Sequence, residues 1–143
     1  DFTQSGDTDI IRAVADVQWE STWGVGAFGA VYGRFAEAGD DNDITDYGLL
    51  LQAGYLLSPS WEVFGRYGVI FFDNKVSGED TFPEIVAGVS YYLGPKGSYK
   101  NSAKITVDAV YLPNGFPTNQ TGLGIVADDD DQVVVRAQFI LSL

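Results

Sequence analysis

The sequence predicts an all-β chain that belongs to an antiparallel transmembrane β-barrel. About seven long strands are present here, and we expect them to form part of a larger barrel. Three observations predict it. Apolar and polar residues alternate with a period of two over long stretches, the connections alternate between short and long, and aromatic residues gather at the strand ends. A tilted membrane-spanning strand needs about nine to eleven residues, whereas strands of soluble proteins average about five or six.

Residues 132–143 show the alternation most clearly. Every odd-numbered position is apolar, while the even-numbered positions include Gln132, Arg136 and Gln138. No Gly or Pro interrupts the stretch. An apolar last residue with Phe139 shortly before it is typical of the final strand of an outer-membrane barrel. Taken alone, the stretch also fits the last strand of a soluble β-sandwich.

Six earlier stretches repeat this pattern. We predict strands at residues 10–20, 25–35, 47–57, 61–71, 85–93 and 103–111. The faces of the second strand are unclear, because Gly26, Gly29 and Gly33 blur the alternation. No helical periodicity occurs.

The connections between these strands alternate in length. Short connections are predicted at 21–24, 58–60 and 94–101, and long ones at 36–46, 73–83 and 113–131. Outer-membrane barrels have short periplasmic turns and long external loops. Counted back from a periplasmic C-terminus, every long loop here lies outside.

The aromatic residues agree with this polarity. Those beside the short turns are Trp19, Trp23, Trp61 and Tyr91, and those beside the long loops are Tyr47, Phe71 and Tyr111. A membrane barrel carries one aromatic girdle at each interface. A soluble core does not require aromatics sorted by strand end.

An odd number of strands points to a larger barrel. A complete bacterial barrel has an even number of strands and begins in the periplasm, whereas the first strand here runs inward from the outside. Either one strand is missing in front of Asp1, or the chain is the C-terminal part of a larger barrel. We prefer the second reading, since the polar start DFTQSGDTD resembles the remainder of an external loop, and an open edge cannot face lipid.

Composition excludes several functions. The 143 residues suffice for one domain, 1–143, and contain no Cys and no His. This excludes Cys- or His-ligated zinc, disulfides and Ser-His or Cys-His catalysis, so we expect no enzyme and no cofactor. The net charge of −12 argues against binding to nucleic acid.

Charged residues within the strands fall on the polar face, except Arg34, whose face is unclear. On a lipid-facing wall an Arg or Lys at mid-membrane costs about 2–4 kcal/mol, so this face is predicted to line a wet lumen. The candidate pore-lining residues are Arg12, Arg66, Lys104, Arg136, Glu62, Asp108 and Gln52. Arg66 and Arg136 form a candidate basic pair, and such residues favour anions. Alternatively, the bases pair with Glu62, Asp108 and Asp16 and only solvate the wall.

The remaining acids lie in the predicted loops. Asp128, Asp129, Asp130 and Asp131 are weak candidates for Ca²⁺ ligands, since calcium takes several oxygen ligands. Because the spacing of an EF-hand is absent, we predict no metal site there and favour a solvated external surface.

Three segments carry a family resemblance: LLLQAGYLLSPSWEVFGRYG (49–68), EIVAGVSYYLGPKGSYKNSAKITVDAVYLPNG (84–115) and QVVVRAQFILSL (132–143). They resemble the C-terminal strands of the phosphate-selective porin O/P family and of planctomycete-type porins. The resemblance implies a homotrimeric outer-membrane pore for passive diffusion of small hydrophilic solutes or anions, in contact with the lipid bilayer and lipopolysaccharide. A structural or adhesive surface barrel with acidic external loops, or a soluble carbohydrate-binding β-sandwich, remains an alternative.

Overall fold

Seven antiparallel strands in one sheet make up the fold. The computed structural model describes residues 9–37, 43–76, 79–95, 103–116 and 130–141. The strands are β1 (Asp9–Glu20), β2 (Val25–Glu37), β3 (Ile44–Ser58), β4 (Trp61–Val76), β5 (Glu79–Tyr92), β6 (Ala103–Leu112) and β7 (Gln132–Leu141). The predicted all-β, antiparallel architecture is confirmed.

The sheet is a continuous meander. Each strand pairs with its neighbours in sequence, in the order β1 to β7. Within the described residues the sheet does not close on itself, so β1 and β7 are its two edges. Each edge strand therefore has one side of its backbone without a strand partner.

Two of the predicted loops are partly strand. Pairing between β2 and β3 continues to Ala36 opposite Ile44, and pairing between β4 and β5 continues to Val76 opposite Glu79. The predicted loops 36–46 and 73–83 were therefore too long. Near the ends of these hairpins both faces carry polar residues, so the apolar alternation fades from the sequence. The backbone hydrogen bonds between the strands continue there, because they do not depend on an apolar face.

The two faces of the sheet differ in exposure. Along β4, Trp61, Val63 and Tyr67 on the odd-numbered face are exposed, whereas Glu62 and Arg66 on the even-numbered face are half-buried. The same asymmetry recurs along β5 and β6. From β4 to β6 the sheet therefore curls around its even-numbered face, whereas both faces of β1 are exposed.

Register assigns the faces of β2, which the glycines concealed. Phe28 lies opposite Gln52, and Arg34 lies opposite Asp46. Directly paired residues share a face of an antiparallel sheet. Arg34 therefore belongs to the even-numbered face with the other strand bases.

An apolar cluster covers part of the even-numbered face near the end of β6. Val86, Val110 and Leu112 are buried, with Val110 at 0% exposure, and Phe116 packs against them. The Nδ2 group of Asn114 donates a hydrogen bond to the carbonyl oxygen of Thr81 at 2.8 Å. The connection after β6 thus begins by folding over this face instead of turning away from it.

Glycines on the even-numbered face make room for aromatic rings of the neighbouring strand. Gly48 lies opposite Tyr32, and a methyl group at Gly48 would overlap the Tyr32 ring. Gly88 lies opposite Phe64, and a Cβ there would lie 2.5 Å from Phe64 Cζ and 2.7 Å from the Asp108 Cβ. Such aromatic cover of a strand glycine also helps to fix register.

We predict that Gly88→Ala destabilises the fold. The added methyl group would be held between Phe64 and Asp108, and overpacking of this kind costs about 1–3 kcal/mol. Gly26→Ala is the matched control, because no atom lies within 4 Å of a Cβ at Gly26. Urea unfolding should show a reduced free energy of unfolding for Gly88→Ala alone; equal effects of both substitutions would contradict this packing.

Candidate functional site

The charged residues of the strand centres all lie on the even-numbered face. The odd-numbered positions within residues 11–19, 25–35, 45–57, 61–71, 81–91, 103–111 and 133–141 carry no charged residue. Within these ranges the even-numbered face carries the bases Arg12, Arg34, Arg66, Lys104 and Arg136 and the acids Asp16, Asp46, Glu62, Glu84 and Asp108, and the acids Glu20 and Asp80 share its parity at the ends of β1 and β5. This face is the candidate functional site, and all seven predicted pore-lining residues belong to it.

Ion pairs join neighbouring strands across this face. Arg34 Nη2 lies 2.5 Å from an Asp46 carboxylate oxygen and connects β2 to β3. The other two pairs connect β4 to β5 and β6 to β7: Arg66 Nη2 with Glu84 Oε1 at 2.9 Å, and Arg136 Nε with Asp108 Oδ1 at 2.7 Å. These side chains are only partly exposed, which strengthens each pair relative to a fully solvated one.

Sequence reasoning missed two of these acids. It assigned Asp46 and Glu84 to loops, whereas the structure places them in β3 and β5. Both occupy even-numbered positions, like the bases they contact, and this could have been seen in the sequence. The expectation that a strand base pairs with Asp108 is confirmed by its contact with Arg136.

Arg66 and Arg136 do not form the basic pair that we predicted. They lie on β4 and β7, with β5 and β6 between them. Each contacts its own carboxylate, Glu84 or Asp108. The local charge that would attract an anion is therefore largely neutralised at both positions.

The other two predicted pore-lining bases, Arg12 and Lys104, differ from Arg66 and Arg136 in their ion-pair contacts. Among the described residues, neither Arg12 nor Lys104 has an ion-pair partner. Arg12 lies directly opposite Arg34. Opposed like charges are unfavourable, so the Asp46 carboxylate beside Arg34 reduces a repulsion as well as forming a contact.

Glu62 has a neutral partner instead of a base. The hydroxyl group of Tyr92 donates a hydrogen bond to Glu62 Oε2, across β4 and β5. Ser90, two residues before Tyr92 on β5, lies opposite Thr106 on β6, and the buried hydroxyl groups of the two residues lie 2.9 Å apart. These contacts satisfy polar groups where the face is most enclosed.

The acidic run that was a weak candidate for calcium falls partly outside the structure. Asp128 and Asp129 lie outside the described residues, while Asp130 and Asp131 are within them. In the described part of the chain, no group of three or more His, Cys, Asp or Glu side chains is arranged to hold a metal ion.

No helix among the described residues is long and apolar enough to cross a membrane. Comparison with protein-family models, with curated proteins and with solved structures gives no match. The resemblance to porins therefore stays a prediction from the sequence.

We predict that Arg136 and Asp108 are energetically coupled. A hydrogen bond between charged partners is worth about 1.5–3 kcal/mol, and this pair is only partly exposed. In a double-mutant cycle with Arg136→Gln and Asp108→Asn, urea unfolding should give a coupling energy of about 1–3 kcal/mol.

Lys104→Gln is the control for this cycle, since Lys104 lies on β6 like Asp108 but has no ion-pair partner among the described residues. Its effect on the free energy of unfolding should stay within about 0.5 kcal/mol. A coupling energy near zero between Arg136 and Asp108 would contradict the assigned contact.

Proposed function

We propose that this chain forms part of the wall of an outer-membrane β-barrel pore through which small hydrophilic solutes diffuse passively. In this proposal the odd-numbered face contacts lipid and the even-numbered face lines a water-filled lumen. The observation that carries it is the absence of charged residues from the odd-numbered positions of all seven strand centres. A water-soluble sheet has no reason to keep its more exposed face free of charge.

The dimensions of the apolar face support the proposal. At roughly 3.3 Å per residue, the ten steps from Trp61 to Phe71 span about 33 Å along β4. A barrel tilt of about 40° reduces this to a height of about 25 Å, the usual height of the apolar band of outer-membrane barrels. The span thus fits the distance between two membrane interfaces.

Aromatic contacts at both ends of that span support it too. At the short-turn end, Trp61 and Tyr91 have ring centroids 4.8 Å apart, and at the long-loop end, Phe35 and Tyr47 have centroids 6.0 Å apart. Outer-membrane barrels carry aromatic girdles at both interfaces. Amphipathic rings are favoured at this depth, because one end of the ring is apolar and the other can contact water.

The open edges β1 and β7 indicate that other strands complete the wall. An edge cannot face lipid, because its backbone groups would lack hydrogen-bond partners there. We propose that further strands of a longer polypeptide close a porin barrel resembling the phosphate-selective O/P type, and that three such barrels form the outer-membrane trimer.

Weak charge selectivity follows from the even-numbered face. Five bases and seven acids share its parity, and three of the bases contact acids directly. Among the described residues, Arg12 and Lys104 are the bases of this wall that have no ion-pair partner. The wall on its own therefore supports passage of both anions and cations, with no strong preference for anions.

One observation favours a second candidate, a structural surface barrel with a filled lumen. The cluster of Val86, Val110, Leu112 and Phe116 excludes water from part of the even-numbered face. An open pore does not require such a cluster on its wall, whereas a plugged barrel does. Conductance distinguishes the two candidates.

We predict stepwise ion conductance when the membrane-extracted protein is inserted into planar lipid bilayers. Reversal potentials in a KCl gradient should give a cation-to-anion permeability ratio near one, and Lys104→Glu should shift that ratio toward cations, because the variant replaces an unpaired positive charge with a negative one. Absence of conductance steps from correctly folded protein would contradict the pore and favour the filled barrel.

A further inference from the structure

A hollow lies on the even-numbered face near the short turns. Its floor is the cross-strand pair Gly26 and Gly54, and its volume is about 160 Å³. One side of the hollow is formed by Phe28 and Gln52. These two residues lie opposite each other, two residues along the strands from the glycine pair. The absence of two side chains from the floor is what creates the space.

Carboxylates border this hollow on two sides. Glu20 extends from β1 and Glu62 from β4, and both line the hollow. Neither is among the carboxylates that form ion pairs within the described residues. The hollow therefore holds two acidic groups without a basic partner in the described part of the chain.

The hydrogen bonds of these groups leave acceptors available. Glu20 Oε1 accepts from the Gln18 amide at 3.0 Å, and Glu62 Oε2 accepts from the Tyr92 hydroxyl group. Glu62 Oε1 lies above Gly54, 2.5 Å from where a Cβ would be. Among the described residues the second oxygen of each carboxylate has no hydrogen-bond donor, so it can accept a hydrogen bond from a ligand.

We propose that this hollow is a binding site for small organic cations carrying ammonium or guanidinium groups. Carboxylate acceptors match N–H donors, with charge-assisted hydrogen bonds to a cation. The phenyl ring of Phe28 offers an apolar face, which attracts a cation through its quadrupole. The side-chain amide of Gln52 orients the ligand.

Neighbouring charges favour this ligand class over an anion. The nearest strand bases along the sheet are Arg66, which contacts Glu84, and Lys104, which lies on β6, two strands away from Glu62. Asp16, two residues from Gln18 on β1 and on the same face, adds a further negative charge. Phosphate would meet two carboxylates here, and the adjacent base, Arg66 directly opposite Gln52, is already paired with Glu84.

The inference rests on the proposed function in one respect, since solutes reach this face only if it lines a water-filled lumen. In that setting the hollow is a cation subsite near the short-turn mouth of the pore. It would retard organic cations on their way through a wall that otherwise has little charge preference.

The test is isothermal titration calorimetry of the membrane-extracted protein in mild detergent with agmatine, a small dication with one ammonium and one guanidinium group. We expect saturable binding that Glu20→Gln and Glu62→Gln each weaken by about tenfold or more, because each removes a charged acceptor. Gly26→Leu should abolish binding by filling the hollow, since no atom lies within 4 Å of a Cβ at Gly26, on the floor of the hollow.

Asp16→Asn is the matched control, because it removes one negative charge from the same face of the same strand without lining the hollow. An equal loss of binding in Asp16→Asn and Glu20→Gln would overturn the site and indicate diffuse attraction. Binding of xylose or inorganic phosphate in preference to agmatine would overturn the ligand class.

The agmatine-binding test and the conductance test can fail independently of each other. Conductance without agmatine binding would overturn this inference and leave the pore standing. Agmatine binding without conductance would support the site and contradict the open pore.

Discussion

A single register through the centres of all six strand pairs is the constraint on which the rest of the structure depends; its two shifts, at Leu56/Ser58 and Phe71/Val76, lie towards strand ends. Because side chains alternate faces along every strand, that register keeps all bases and acids of the strand centres on one side. A slip of one residue between β3 and β4 would turn Arg66 onto the apolar face and Tyr67 onto the charged one. The separation of faces, and every functional proposal, therefore follows from correct pairing.

Side-chain contacts on the even-numbered face hold that register in place. The ion pair of Arg136 with Asp108 and the fit of Phe64 against Gly88 each require one alignment of two strands. Among the described residues, no ion pair joins strands across the odd-numbered face, and its apolar residues restrict register only by parity. Specificity of pairing and the charge of the even-numbered face thus come from the same side chains.

Much of this architecture could be predicted from alternation alone: seven strands, their antiparallel order and the charged face. Alternation could not locate Asp46 and Glu84, because the apolar signal had weakened at those strand ends while the ladder continued. Nor could it predict that Phe116 returns over the even-numbered face, since that contact depends on a connection with no periodicity. The hollow at Gly26 and Gly54 required knowledge of which glycines face each other.

The central claim is that the odd-numbered face contacts lipid and the even-numbered face contacts water. Since the chain has no cysteine, single cysteines can be introduced one at a time from Trp61 to Tyr67, whose odd-numbered positions are exposed, and spin-labelled in lipid vesicles. Collision rates with oxygen should be high at odd positions, and collision rates with a water-soluble nickel complex should be high at even ones, giving a period of two. Equal access of the nickel complex to both faces would contradict a membrane-embedded wall.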